Sequence, residues 1–236
     1  MFDKILLLAN SAENLPEFTE LGVREVILLY VVEDDVVEYA DFWCFVTPKE
    51  LVEEVKKAAM KELAEIASEF KVKTKCIVTK GNVAIETLKV AEAEGVSAVF
   101  LSEGAPRILD VVHFLNVPVI VIKRKKDFRL DKILYAVDLK NSERLLRYAK
   151  LSRDVILLHV IKSEESGKEA ELRLNEISKS LGKAEIIITK GKPCKEIIRV
   201  AKEKEVTLIL IGYSGKLFGT ANCVIRKSEI PILIVK

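Results

Sequence analysis

The chain has no glutamine, one tryptophan, two histidines and four cysteines among its 236 residues. Each scarcity closes off a class of function. His113 and His159 stand far apart, form no HxxxH spacing and support no Ser-His-Asp set, so neither a metal centre nor a nucleophilic triad is expected. The cysteines, Cys44, Cys76, Cys194 and Cys223, include no CxxC pair. That usage fits a reducing compartment, where a free cysteine is a small buried hydrophobe, and the expected location is cytoplasmic. Neither charge sign dominates: a net charge of +2 gives no reason to expect nucleic acid or an anionic membrane as partner. No apolar run approaches the ~20 residues of a membrane span. The chain opens directly on a strand-like segment, ILLLA, with no signal-peptide cleavage pattern. The missing glutamine is accompanied by 28 Lys and 27 Glu, a balance characteristic of hyperthermophile proteins, so a thermophilic source is expected.

What is present is a repeat. KILLLAN from Lys4 is answered by KILYAVD from Lys132, TKG from Thr79 recurs at Thr189, and VPVIVIK from Val117 is answered by IPILIVK from Ile230. After the TKG pair, Glu86, Val90, Ala91 and Val96 match Glu196, Val200, Ala201 and Val206 without a gap. Three matches in one order define two homologous halves, 1–123 and 131–236, each close to the usual size of a domain. The basic run Lys123–Lys126 between them reads as a solvated linker.

Within each half, short apolar runs alternate with longer amphipathic segments, the pattern of βαβ units and a parallel sheet. The second half predicts strands at Lys132–Val137, Asp154–Ile161, Glu185–Thr189, Val206–Ile211 and Ile230–Val235. Their unbroken Val, Ile and Leu content suits strands covered on both faces. Helices are predicted at Asn141–Lys150, Glu164–Leu181, with Leu172, Ile177 and Leu181 inward, Pro193–Lys204 and Thr220–Lys227. The first half predicts strands at Lys4–Ala9, Glu25–Val32, Lys73–Thr79, Ser97–Leu101 and Val117–Ile122. The fold class is therefore α/β: two Rossmann- or flavodoxin-like domains in tandem, each with a five-stranded parallel sheet. The last strands, being this apolar, are expected to pair the two domains about a pseudo-twofold axis.

Chemistry concentrates in the second half. After its fourth strand comes IGYSGKLFGTAN, with Gly212, Gly215 and Gly219 ahead of a helix that starts at Thr220. In parallel sheets ligands bind beyond the carboxyl ends of the strands. Glycines there admit a phosphate to the backbone, and a helix N-terminus offers it free N–H groups. The competing reading is a connection that needs positive φ. The loop is neither a Walker A sequence nor a GxGxxG fingerprint. Asp138, just past the first strand, falls at the same sheet edge, where its carboxylate can accept from an adenine amino group or a ribose hydroxyl; the competing role is a helix N-cap, for which Asn141 and Ser142 also qualify.

The order of KILYAVD, LLHV, KGKPCKEIIRVAKEKEVTLILIGYSG, GT and IPILIVK resembles the universal stress protein family, across nearly all of the second half and more weakly across the first. The resemblance implies a regulatory or stress-response protein rather than an enzyme. It implies an adenine nucleotide, ATP or another, held by Asp138 at the base or ribose and by Gly212, Gly215, Gly219 and Thr220 at the phosphates. The family's ATP-binding pattern has nine residues between the last two glycines; this chain has three, Lys216, Leu217 and Phe218. That shortening shifts the expectation from a triphosphate toward a smaller ligand or none. In the first half, Asn10 stands where Asp138 would be, and Ser102, Glu103, Gly104 and Ala105 replace Gly212 to Gly215. Glu103 would put a like charge beside a phosphate, so no nucleotide is expected there.

Two other readings stay open. One is an interaction module without a nucleotide, in which Tyr39, Phe42, Trp43 and Phe45 of the first half recruit a partner or a second copy, aromatics being enriched at interface cores; the competing reading is a local hydrophobic cluster. The other is a slow ATPase, disfavoured because no acid/base set accompanies Asp138. His159 at a strand end and His113 on a partly buried helix read as structural.

Overall fold

The computed structural model describes residues 2–9, 18–19, 21–33, 48–139, 143–161, 167–215 and 219–236. Two compact units divide the chain, Met1–Val119 and Ile120–Lys236. The first contains β1 (Lys4–Leu8), β2 (Glu25–Val32), α1 (Pro48–Glu69), β3 (Lys73–Lys80), α2 (Val83–Glu94), β4 (Ala98–Ser102) and α3 (Ile108–Phe114). Its parallel strands lie in the order β3-β2-β1-β4, and the unit boundary falls inside β5 (Val119–Ile122). The second contains β6 (Lys132–Ala136), α4 (Glu143–Ala149), β7 (Asp154–Ile161), α5 (Gly167–Ser180), β8 (Glu185–Lys190), α6 (Pro193–Glu203), β9 (Leu208–Gly212), α7 (Thr220–Lys227) and β10 (Ile232–Val235). Its order is β10-β9-β6-β7-β8, all parallel.

Hydropathy explains the order. The inner strands are closed to water on both faces: Ile5, Leu6, Leu7 and Leu8 of β1, and Leu208, Ile209 and Leu210 of β9, are fully buried. The edge strands β3 and β8 carry half-buried and exposed side chains instead, with charged residues at their ends. In the first unit Phe18 and Phe2 meet the buried Phe100 edge-on, at ring separations of 5.5 and 6.2 Å. That geometry suits the ring quadrupole.

Four local expectations change. Cys194 and Cys223 are not free: they form a disulfide between α6 and α7, while Cys76 keeps its thiol, which burial pushes above its usual pKa. The Lys123–Lys126 run is solvated only in its middle, at Arg124 and Lys125. Lys123 is 2% exposed and donates its Nζ to the Ile225 carbonyl at 2.8 Å, at the C-terminal end of α7, where a cation meets the negative end of the helix dipole. Lys126 likewise donates to the Val206 carbonyl at 2.6 Å. On α5 the inward stripe is Ala170, Leu174 and Ile177, and Leu172 points to solvent. His113 is helical as expected but exposed.

Candidate functional site

Strand order places the site. In the second unit β6 is followed on one side by β7 and on the other by β9, so the chain leaves this point of the sheet in opposite directions. Such a switch point opens a crevice beyond the strand carboxyl ends. A cavity of about 360 Å³ occupies it, within the size range of small-molecule sites. Tyr135 to Asp138 from the end of β6, Leu158 to Val160 from β7 and Ile211 to Ser214 from β9 form its floor; Gly219 to Ala221 of α7 close one end.

Asp138, Gly212, Gly219 and Thr220 are therefore brought to one cavity, as their sequence positions suggested. Gly215 is not: it lies outside the lining, with a left-handed φ of +75° that suits a turn. Asn10, the aromatic group Tyr39, Phe42, Trp43 and Phe45, and Lys216, Leu217 and Phe218 lie outside the described residues, as do Asn141 and Ser142.

The chemistry of the lining divides in two. Leu145, Leu158, Val160 and Ile197 supply apolar wall. Asp138, Arg144, His159 and Lys236 supply charge or hydrogen bonding. His159 Nδ1 lies 2.9 Å from the Val137 carbonyl. Since a carbonyl can only accept, Nδ1 carries the proton, and a neutral ring leaves Nε2 as acceptor. Burial, and the charge of Asp138 nearby, raise the pKa of Tyr135, so its hydroxyl stays protonated at the cavity floor. Burial lowers that of Lys236. At α7, Gly219 has no side chain to cap the helix, so it offers none to the first-turn N–H groups at the cavity. A carboxylate and a helix N-terminus thus face one partly apolar space.

Sequence reasoning reached the glycines and Asp138 because the sheet-edge rule names strand ends. It missed Arg144 and Pro193, which reach the cavity from helices whose placement only the packing fixes, and passed over Tyr213 and Lys236, which stand just past the ends of β9 and β10. In the first unit, Ser102 ends β4 buried and Ala105 is 7% exposed, its N–H bonded to the Ser102 carbonyl, so this turn closes on itself. Among the described residues no group of three or more His, Cys, Asp or Glu is placed to hold a metal, and no helix is long and apolar enough to cross a membrane.

Comparison with known proteins agrees with the fold. The chain is 29% identical over 152 aligned positions to a universal stress protein of Methanocaldococcus jannaschii, covering 44% of this chain and 94% of that one. Among solved structures, a universal stress protein from Archaeoglobus fulgidus superposes with a TM-score of 0.79 at 22% identity, covering 99% of this chain and 96% of the other. A putative universal stress protein from Pseudomonas aeruginosa gives 0.69 at 19% identity, covering 100% and 93%. These likenesses give the fold of nearly the whole chain, the first half included. The family model itself matches one stretch: residues 129–236, which hold the cavity, carry a universal stress protein family domain.

Proposed function

We propose that the second unit binds an adenine nucleotide in the switch-point cavity, and that the chain acts as a regulatory, stress-response protein rather than as an enzyme. One observation carries the reading. Asp138 and the N-terminus of α7 line the same cavity, the first suited to a base amino group or ribose hydroxyl and the second to a phosphate. The cavity's apolar lining, Leu145, Leu158 and Ile197, suits a purine face. The three-residue spacing before Gly219 favours a ligand with fewer phosphates than ATP. A binding role is favoured over turnover because Asp138 is the one carboxylate side chain among the described lining residues, so the lining offers no pair of carboxyl groups for acid and base work. We read the first unit as a second copy of the domain that no longer takes this ligand: a buried serine and an alanine stand in place of Gly212 and Gly215.

Titration calorimetry with AMP, ADP and ATP, after removal of co-purified ligand, tests this. We expect a dissociation constant on the order of 10 μM for AMP, weakened at least tenfold (about 1.4 kcal/mol) in Asp138→Ala. Absence of heat for all three nucleotides would remove the reading.

A further inference from the structure

We propose that the Cys194–Cys223 disulfide is a redox-sensitive latch on this cavity, holding the N-terminal turn of α7 in place until a dithiol releases it. The mechanical part rests on geometry alone; the identity of the ligand it controls rests on the nucleotide reading above.

The bond joins the two helices whose first turns both wall the cavity. Cys194 lies between Pro193 and Ile197 of α6, and Cys223 follows Gly219, Thr220 and Ala221 of α7 within one turn. The far end of α7 is held separately, by Lys123 Nζ on the Ile225 carbonyl. The near end has no side-chain cap, since its cap residue is Gly219. The disulfide is therefore the covalent tie on the end of the helix that meets the cavity.

The internal repeat supplies an independent argument. In the register of the TKG pair, Cys194 corresponds to Ala84; in the register of the last strands, Cys223 corresponds to Asp110. Both sulfurs thus occur in the copy that keeps Asp138 and the glycines, and neither occurs in the copy that lacks them. A bond needed only to hold α6 against α7 in this fold would be as useful in the first half, where α2 and α3 do without it.

The chemistry balances with a dithiol as reductant. Cys223 is half-buried and Cys194 nearly closed to solvent, so a dithiol thiolate attacks Cys223 Sγ. The S–S bond breaks, and Cys194 leaves as a thiolate that takes up a proton. The second thiol of the dithiol then displaces Cys223 from the mixed disulfide. Two electrons and two protons pass to the protein, and the dithiol becomes a disulfide. The freed α7 stays anchored at Ile225 but loses the fixed position of its first turn, and with it the alignment of the Gly219 to Ala221 N–H groups.

The test compares the full chain, air-oxidised and after reduction with excess dithiothreitol, by amide hydrogen exchange and by AMP titration. A Cys194→Ser/Cys223→Ser chain serves as a permanently released form; should it fold poorly, the reversibly reduced wild type carries the comparison. Expected is at least tenfold faster exchange confined to residues 219–227, at least fivefold weaker AMP binding, and recovery of both on re-oxidation. Unchanged exchange in α7, or uniformly faster exchange across the unit, overturns the latch: the bond then only stabilises the fold. Equal AMP affinity in both states overturns its control of the site. Local loosening of α7 with no AMP binding in either state supports the latch and sinks the nucleotide reading instead.

Discussion

Gly191 has a φ of +155° and Gly81 a φ of +141°, and these two glycines explain why TKG is the best-kept part of the repeat. A Cβ on Gly191 would sit 3.0 Å from Cγ of Glu196, and one on Gly81 would sit 3.3 Å from Cγ of Glu86. The glycine thus clears a path for the glutamate five residues on. In the second unit that glutamate accepts a hydrogen bond from the Thr189 hydroxyl at 2.6 Å. In the first unit Glu86 accepts from Lys89 instead, and the buried Thr79 hydroxyl finds no partner. We expect Gly191→Ala to cost about 2–3 kcal/mol, combining a backbone region that is nearly glycine-only with displacement of Glu196. Gly182→Ala provides the control, because its φ is +86° but nothing lies within 4 Å of the added Cβ. It should cost about 1–2 kcal/mol from backbone strain alone. Urea denaturation of the two variants decides the point; equal losses would mean that the contact with Glu196 has no energetic weight.

At the scale of elements, α5 shows how a helix can be located correctly and faced wrongly. Its charge-rich sequence offers few apolar residues, and counting Leu172 among them turns the predicted stripe toward solvent. The observed stripe, Ala170, Leu174 and Ile177, follows the i, i+4, i+7 rule, but one of its members is an alanine that carries little hydrophobic signal. Leu174→Ala should cost about 2–4 kcal/mol, since the side chain is fully closed to solvent, whereas Leu172→Ala, at 69% exposure, should stay within about 0.5 kcal/mol. Comparable losses in urea melts of the two chains would return the buried face to Leu172. The strands were far more legible. β2 and β7 fall on the residues that periodicity names, and the other strands differ by a residue or two, because unbroken β-branched runs between turn residues have few alternatives. The disulfide was not legible: Cys194 and Cys223 are separated by 29 residues with no motif between them, and only the packing of α6 on α7 brings them together.

For the whole molecule, part of the lysine and glutamate excess forms linked ion pairs, beside isolated ones such as Lys57–Glu54 and Lys204–Glu185. Glu94 accepts from Lys75 at 2.6 Å and from Lys4 at 3.0 Å, and Glu25 meets Lys73 at 2.9 Å and Lys4 at 3.8 Å, so two carboxylates and three ammonium groups tie α2 to three strands. Glu94, Glu25 and Lys4 are 17%, 20% and 24% exposed in their side chains, shielded enough to matter more than a fully solvated pair. In the second unit Glu196 pairs with Arg199 and Glu229 with Lys125 and Lys202. Lys75 and Lys4 hold Glu94 below its usual pKa of 4.5, and Lys73 does the same for Glu25, Arg199 for Glu196 and Lys125 for Glu229. A carboxylate that titrates lower in the folded chain than in the unfolded one stabilises fully above the unfolded value and loses that contribution as pH falls through the folded value. The melting temperature should therefore hold between pH 8 and about 5.5, then drop from about pH 4.5 downward. Because charge desolvation costs less on heating, networks of this kind gain weight at high temperature, and at pH 7 we expect a melting temperature above about 60 °C, beyond the usual mesophile range. The chain with both Glu25→Gln and Glu94→Gln should melt lower at pH 7 and lose less on acidification, so that the two curves converge near pH 3. Parallel curves would show that these pairs contribute nothing to the acid transition and that the stability lies in the buried strands alone.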